Sequence, residues 1–260
     1  MPNCNVQKYV GFVTFINIFL VINILVIIIG KITFFDVLRA TLKPKFKFEP
    51  RVENTALLLI DMQELATAEH LIEEAVNAGL PRDEVKEAVA DFDRRIKEAT
   101  VNASRILKAC RKKGIPPIHV KVEAMTKDAR DTGRLYRALG FIYPHGFKGG
   151  RFLPEVAPLE GEIVLTKTHS SAFIGTNLDR ILRDMGIENL ILVGFYTDQC
   201  IEFTFGDAVD YGYNCVLVID ACTTYLREMH EAVIQKYRAL GGGQLLKTTD
   251  EILKIIEEMK

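Results

Sequence analysis

Residues 190–213 read LILVGFYTDQCIEFTFGDAVDYGY. The opening Leu190-Ile191-Leu192-Val193 is short, branched and uncharged, the composition of a strand buried on both faces of a parallel sheet. Gly194 interrupts it. Thr197 and Asp198 are residue types favoured at helix N-caps, and Gln199 to Tyr211 carries apolar residues at helical spacing. The pattern predicts a strand, a break and a helix, with Cys200 in the first helical turn just past the strand's carboxyl end. A sulfur there feels the positive end of the helix dipole, which favours thiolate over thiol. Free cysteines are more often buried structural residues, but the cap, the glycine and the position point here to a nucleophile.

Working outward, Ala56 to Ile60 is a continuous apolar run ending at Asp61, and Pro117 to Val122 reads as a second strand. Ile163-Val164-Leu165 is a third, with Lys167 at its end. Asn214 to Ile219 ends at Asp220, and Gln244 to Lys247 makes a short last strand. Helical patterns fall between them at Glu64–Ala78, Pro81–Gly114, Thr176–Met185, Arg227–Leu240 and Asp250–Met259. Glu123 to Leu159 has little period and reads as a long surface loop, a kind of segment that often carries function. Strands alternating with helices predict an α/β fold: a six-stranded parallel sheet with helices on both faces. In such a sheet Asp61, Lys167 and Cys200 all reach one edge, where ligands of open α/β sheets bind. Together they suit nucleophilic attack on a carbonyl carbon. Cys200 attacks, Asp61 takes the thiol proton and later returns it to the leaving amine, and Lys167 supplies a positive charge favouring both anions.

The chain of 260 residues has 33 basic and 34 acidic side chains, a balance that argues against nucleic acid as the main partner. Its 5 cysteines lack metal-finger spacing and read as reduced thiols. The first fifty residues differ in kind. Tyr9 to Gly30 carries no charge, and as a helix would be roughly 33 Å long, enough to cross a bilayer. Lys31, Arg39, Lys43, Lys45, Lys47 and Arg51 follow it. The expectation is therefore an N-terminal transmembrane helix over residues 9–30, with the lipid bilayer as partner. It divides the chain into an anchor and basic linker (1–50) and a catalytic domain (51–260). The positive-inside rule makes this a single-pass membrane protein with its enzyme domain facing the cytoplasm.

The sequence resembles the isochorismatase-like cysteine hydrolase superfamily. The pieces that carry the resemblance are Leu58-Leu59-Ile60-Asp61-Met62-Gln63, Lys167 with Ser171-Ala172-Phe173-Ile174-Gly175-Thr176, Gly194-Phe195-Tyr196-Thr197-Asp198-Gln199-Cys200, and Asp207-Ala208 with Gly212-Tyr213 and Asp220-Ala221. The resemblance implies a catalytic triad of Asp61, Lys167 and Cys200. It also implies a cis peptide at Phe195-Tyr196, an oxyanion hole built from the backbone N–H groups of Tyr196 and Cys200, and a homo-oligomer. Nicotinamidases of this superfamily carry a metal-binding Asp-x-His…His set after the second strand; here His119-Val120-Lys121-Val122-Glu123 lacks it, so neither metal nor cofactor is implied. Thr126 to Asp131, Gly140-Phe141, Pro144-His145-Gly146 and Glu228 to Glu231 look like the biuret and ureidoacrylate amidohydrolase branch. The usual Asn-Asp-Phe after Asp-x-Gln is replaced by Glu64-Leu65-Ala66. The implied activity is a metal-independent cysteine amidohydrolase that cleaves a C–N bond of a small linear amide or ureido compound through a thioester. A membrane-tethered, non-catalytic binding protein of the same fold and a nicotinamidase-like amidase are the alternatives.

Overall fold

The computed structural model describes residues 32–42, 45–240 and 242–259. The chain divides into two compact units, Met1–Lys43 and Pro44–Lys260. In the first, helix α1 (Phe34–Thr41) is capped by Thr33, whose hydroxyl accepts from the Asp36 amide while Asp36 reaches back to the Thr33 amide.

The second unit is built on six parallel strands. They are β1 (Thr55–Ile60), β2 (Pro117–Val122), β3 (Ile163–Lys167), β4 (Asn189–Phe195), β5 (Asn214–Thr223) and β6 (Leu246–Lys247), in the order β3-β2-β1-β4-β5-β6. Around them lie α2 (Ala68–Asn77), α3 (Arg82–Ala88), α4 (Ala90–Lys113), α5 (Arg134–Leu139), α6 (Leu178–Asp184), α7 (Glu202–Asp210), α8 (Arg227–Ala239) and α9 (Thr249–Glu258). Successive strand side chains point to opposite faces, which sorts the core in two. Leu58, Ile60, Leu190 and Leu192 pack with Leu178 and Leu182 of α6 and Phe205 of α7. Leu57, Leu59, Ile191 and Val193 pack instead with Phe92, Ile96 and Ile106 of α4 and Ile252 of α9. Strands buried on both faces explain why β1 and β4 read as unbroken apolar runs.

The sheet is centred on β1, which pairs with β2 on one side and β4 on the other. Order reverses there, so the crevice beyond the carboxyl ends of β1 and β4 is the natural ligand site. Gly194 is the point of closest approach. Its φ is +127°, and a Cβ built on it would lie 2.0 Å from the Ile60 carbonyl oxygen. Neither the dihedral nor the space admits a side chain. Gly194→Ala should therefore cost about 4 kcal/mol or more, at the diagnostic end of single substitutions, and thermal melting checks it. A melting temperature within a few degrees of the parent would show that β1 and β4 can separate freely.

Three elements differ from the sequence expectation. The long helix over Pro81–Gly114 breaks at Val89 into α3 and α4. The segment read as a surface loop contains α5. Strand β5 runs on past Asp220 to Thr223, with a register shift opposite Leu192–Gly194, and the Asp220 carboxylate accepts from the amide and hydroxyl of Thr249 at the start of α9. The aspartate is a structural cap.

The expected transmembrane helix is corrected. Among the described residues no helix is long and apolar enough to cross a membrane. Helix α1, the described helix nearest the expected span, has 8 residues and carries Asp36; it rises about 12 Å, against roughly 30 Å of hydrocarbon. Residues 9–30 themselves lie outside the described residues. The lipid partner and the single-pass, cytoplasm-facing localisation rested on that helix and fall with it.

Candidate active site

Asp61 follows β1 directly and takes a left-handed conformation, φ +53°, uncommon for a residue with a side chain. Its amide donates to the Val120 carbonyl of β2 at 2.9 Å, which fixes the turn. Gln63 locks the same corner from beneath. Its fully buried side chain donates to the carbonyls of Val122 and Gly150 and accepts from the Val122 amide at 2.7 Å.

Lys167 is the last residue of β3, in register with Val122, whereas Ile60 pairs with Val120. The lysine thus starts two residues further along the edge and one strand further out than Asp61's neighbours. Its four-carbon stem spans β2, a reach that a shorter side chain lacks. The ammonium arrives 2.7 Å from Asp61 Oδ2 and 3.2 Å from Cys200 Sγ. It also lies 3.2 Å from Tyr136 Oη and 3.1 Å from the His169 carbonyl.

Cys200 stands in a kinked turn, Thr197–Ile201, that leads into α7; Gln199, just before it, leaves helical geometry at φ −127° and ψ −109°. The Phe195-Tyr196 peptide bond before it is cis. Gln199 and Ile201 both donate backbone N–H to the Tyr196 carbonyl, at 3.0 and 3.2 Å. That draws the carbonyl into the turn and leaves the Cys200 amide between the two donors. Thr197 and Asp198, expected as helix caps, are used otherwise: Thr197 Oγ1 bonds His230 Nδ1 at 2.8 Å, and Asp198 accepts from the Thr224 hydroxyl.

Asp61, Lys167 and Cys200 are therefore brought together, each more than nine-tenths buried. Burial and the neighbouring Asp61 carboxylate push the Cys200 thiol up to about 12, although Lys167 and Tyr136 pull it down. Burial thus favours the thiol in the resting site, against the helix dipole and Lys167. Burial raises the Asp61 carboxyl against the pull of Lys167. Burial works against the Lys167 charge, but Asp61 and Cys200 outweigh it and hold the ammonium protonated. The site is a proton acceptor and a proton donor side by side, bridged by a fixed cation.

One participant was not foreseen. The Tyr136 hydroxyl lies 3.2 Å from Cys200 Sγ and accepts from Lys167. Burial raises this phenol well above its ordinary range, so it keeps its proton, and once the sulfur is ionised only the phenol can donate between them. Tyr136 sits in α5, whose 6 residues between Gly133 and Gly140 are too few for a period to show. The flanking glycines, one of them the left-handed stop Gly140, were the available signal.

Asp61 and Cys200 open onto a small pocket lined also by Leu65, Tyr143, Tyr196, Gln199 and Tyr225, with Lys167 behind them. No group of three or more His, Cys, Asp or Glu among the described residues could hold a metal ion. His119 pairs with Glu162 at 3.0 Å and His145 with Glu123 at 3.2 Å.

The family model described as the isochorismatase domain matches residues 55–250. The uncharacterised isochorismatase family protein YddQ of Bacillus subtilis is 29% identical over 165 residues, 60% of this chain and 86% of that protein. The ureidoacrylate amidohydrolase RutB of Agrobacterium fabrum is 42% identical over 67 residues, only 26% of this chain and 29% of that protein. A cysteine hydrolase structure from Pseudomonas syringae pv. phaseolicola superposes with a TM-score of 0.64 over 83% of this chain and 98% of that one, at 19% identity, a likeness of fold. The matched residues run from the first strand to the last, and the chain belongs to the isochorismatase family.

Proposed function

We propose that this chain is a cysteine hydrolase that cleaves the C–N bond of a small amide or ureido compound without a metal ion, through a thioester. The observation that carries the reading is the Lys167 ammonium 2.7 Å from Asp61 and 3.2 Å from Cys200, two side chains that line one pocket. The amidohydrolase named among the relatives supports the bond type.

As Cys200 Sγ attacks the carbonyl carbon, its proton passes to the Asp61 carboxylate. The carbonyl becomes a tetrahedral oxyanion, held by the N–H groups of Tyr196 and Cys200; such donors are worth roughly 3–4 kcal/mol apiece in related chemistry. Asp61 then gives the proton to the leaving nitrogen, the C–N bond breaks, and a thioester remains. Water attacks that ester and loses its proton to Asp61. Collapse breaks the C–S bond, Asp61 returns the proton to sulfur, and the acid departs. Lys167 keeps its proton throughout and stabilises each anion in turn. A panel of small amides and ureido compounds, with released ammonia measured and Cys200 acylation followed by mass spectrometry, tests the reading. No turnover by any member would overturn it.

Tyr136 acts through Cys200 by donating to the ionising sulfur. Tyr136→Phe should lower kcat by about tenfold or more, the worth of one hydrogen bond to a charged atom, with KM little changed. The pH at which iodoacetamide alkylates Cys200 half-maximally should move up, because the thiolate loses a donor. A rise in KM with an unmoved alkylation profile would make the phenol a substrate contact instead.

A further inference from the structure

Resting on the hydrolase reading, we propose that the substrate is an uncharged amide with an apolar body and that carboxylate-bearing amides are rejected. Aromatic rings make up half of the pocket lining: Tyr136, Phe141, Tyr143, Phe195, Tyr196 and Tyr225. Tyr196 and Tyr225 have centroids 4.2 Å apart, and Phe141 and Tyr143 stack at 6.3 Å. Such faces hold flat or apolar groups. Among the described residues, Asp61 is the one carboxyl group lining the pocket, and no lysine, arginine or histidine lines it.

The cation beneath it has nothing to spare. An ammonium carries three N–H donors, and Lys167 already has Asp61, Cys200, Tyr136 and the His169 carbonyl within 3.2 Å. Arg151 and Lys121, which follow or precede residues bonded to Gln63 in the chain, are tied to Glu64 and Glu123 at 3.0 Å each. A substrate carboxylate would lose its water, face Asp61 and find no free cation to pair with, a costly burial that one donor from Gln199 does not offset. A substrate cation would find the rings, but the Asp61 carboxylate that it would face is already paired with Lys167 at 2.7 Å. Gln199 supplies what a neutral amide needs. Its side chain lines the pocket, makes no hydrogen bond among the described residues, and offers both a donor and an acceptor.

The test uses the full chain and two alkylating probes of nearly equal size, neutral iodoacetamide and anionic iodoacetate. Rates at Cys200 are read by peptide mass spectrometry and divided by the rates on free glutathione. The expected result is a preference for iodoacetamide roughly tenfold or more beyond that of glutathione at pH 7. Leu65→Arg, which puts a guanidinium on the pocket wall, should bring the ratio back toward the free-thiol value. Turnover of butyramide against its isosteres succinamate and 3-aminopropanamide should follow the same order, neutral first. A glutathione-like ratio in the parent protein, or faster modification by iodoacetate, overturns the inference. The alkylation ratio needs no turnover. A neutral preference with no ammonia from any amide would sink the hydrolase reading and leave the charge selectivity standing.

Discussion

Cys200→Ala should lose roughly four orders of magnitude or more in kcat, as removal of a nucleophile from a concerted set does elsewhere, while its melting temperature stays close to that of the parent. The substitution deletes one sulfur at the pocket floor and leaves the β4 turn, with its two bonds to the Tyr196 carbonyl, in place. In the parent protein a slowly turned-over amide should leave an acyl group on Cys200 that mass spectrometry detects, and the variant should show none. The other described thiols provide the control. Cys110, Cys215 and Cys222 are buried too, and burial raises all three. Resting acidity therefore does not single out Cys200, whose thiol is raised to about 12 as well. Its neighbours do: an aspartate to take the proton and a lysine and a phenol to hold the resulting anion. Acylation of Cys110, Cys215 or Cys222 in place of Cys200 would refute that account.

Strands β1 and β4 were legible because burial on both faces leaves unbroken apolar runs, and the site followed because three reactive side chains fall at or just beyond the carboxyl ends of β1, β3 and β4. What escaped detection has physical reasons. Tyr136 acts from a helix under two turns long, shorter than any hydrophobic period can reveal. Its role depends on distances to Lys167 and Cys200, which are 31 and 64 residues away in the chain. The continuation of β5 to Thr223 crosses Asp220, a polar residue that reads as an end until its bond to Thr249 shows it serving α9. Thr197 and Asp198 look like caps because capping chemistry is local, yet tertiary partners His230 and Thr224 claim them. The apolar stretch at 9–30 shows the reverse limit. Hydropathy alone predicted a membrane helix, and no described helix of the fold has the length or composition for one.

Lys167→Met should cut kcat/KM by about three orders of magnitude at neutral pH and shift the acid limb of the pH profile upward. The side chain keeps nearly the same length, so what is lost is the charge. Asp61 must be deprotonated to accept the Cys200 proton, so activity falls as pH drops through the carboxyl pKa of the folded enzyme. Burial already raises that pKa, and Lys167 is the largest influence opposing it. Without the ammonium the carboxyl rises further, and the loss of activity begins at higher pH. The thiol also loses its cation, so iodoacetamide should modify Cys200 more slowly at neutral pH than in the parent. Stability follows the same charge. Leaving one member of a buried pair unpaired costs about 3–5 kcal/mol while it stays ionised. In the variant, Asp61 escapes that cost by taking a proton, because its folded pKa lies above its unfolded value. The penalty is absent below the unfolded pKa and grows as pH rises through the folded one. Melting curves should show the deficit of Lys167→Met shrinking on acidification. Adding Asp61→Asn should restore most of the stability near neutrality and none of the activity, since the stranded charge is gone but so is the base. Unchanged alkylation of Cys200 in Lys167→Met, or a melting deficit that does not vary with pH, would mean that Lys167 fills space at the edge of the sheet without holding the charge of Asp61 and Cys200.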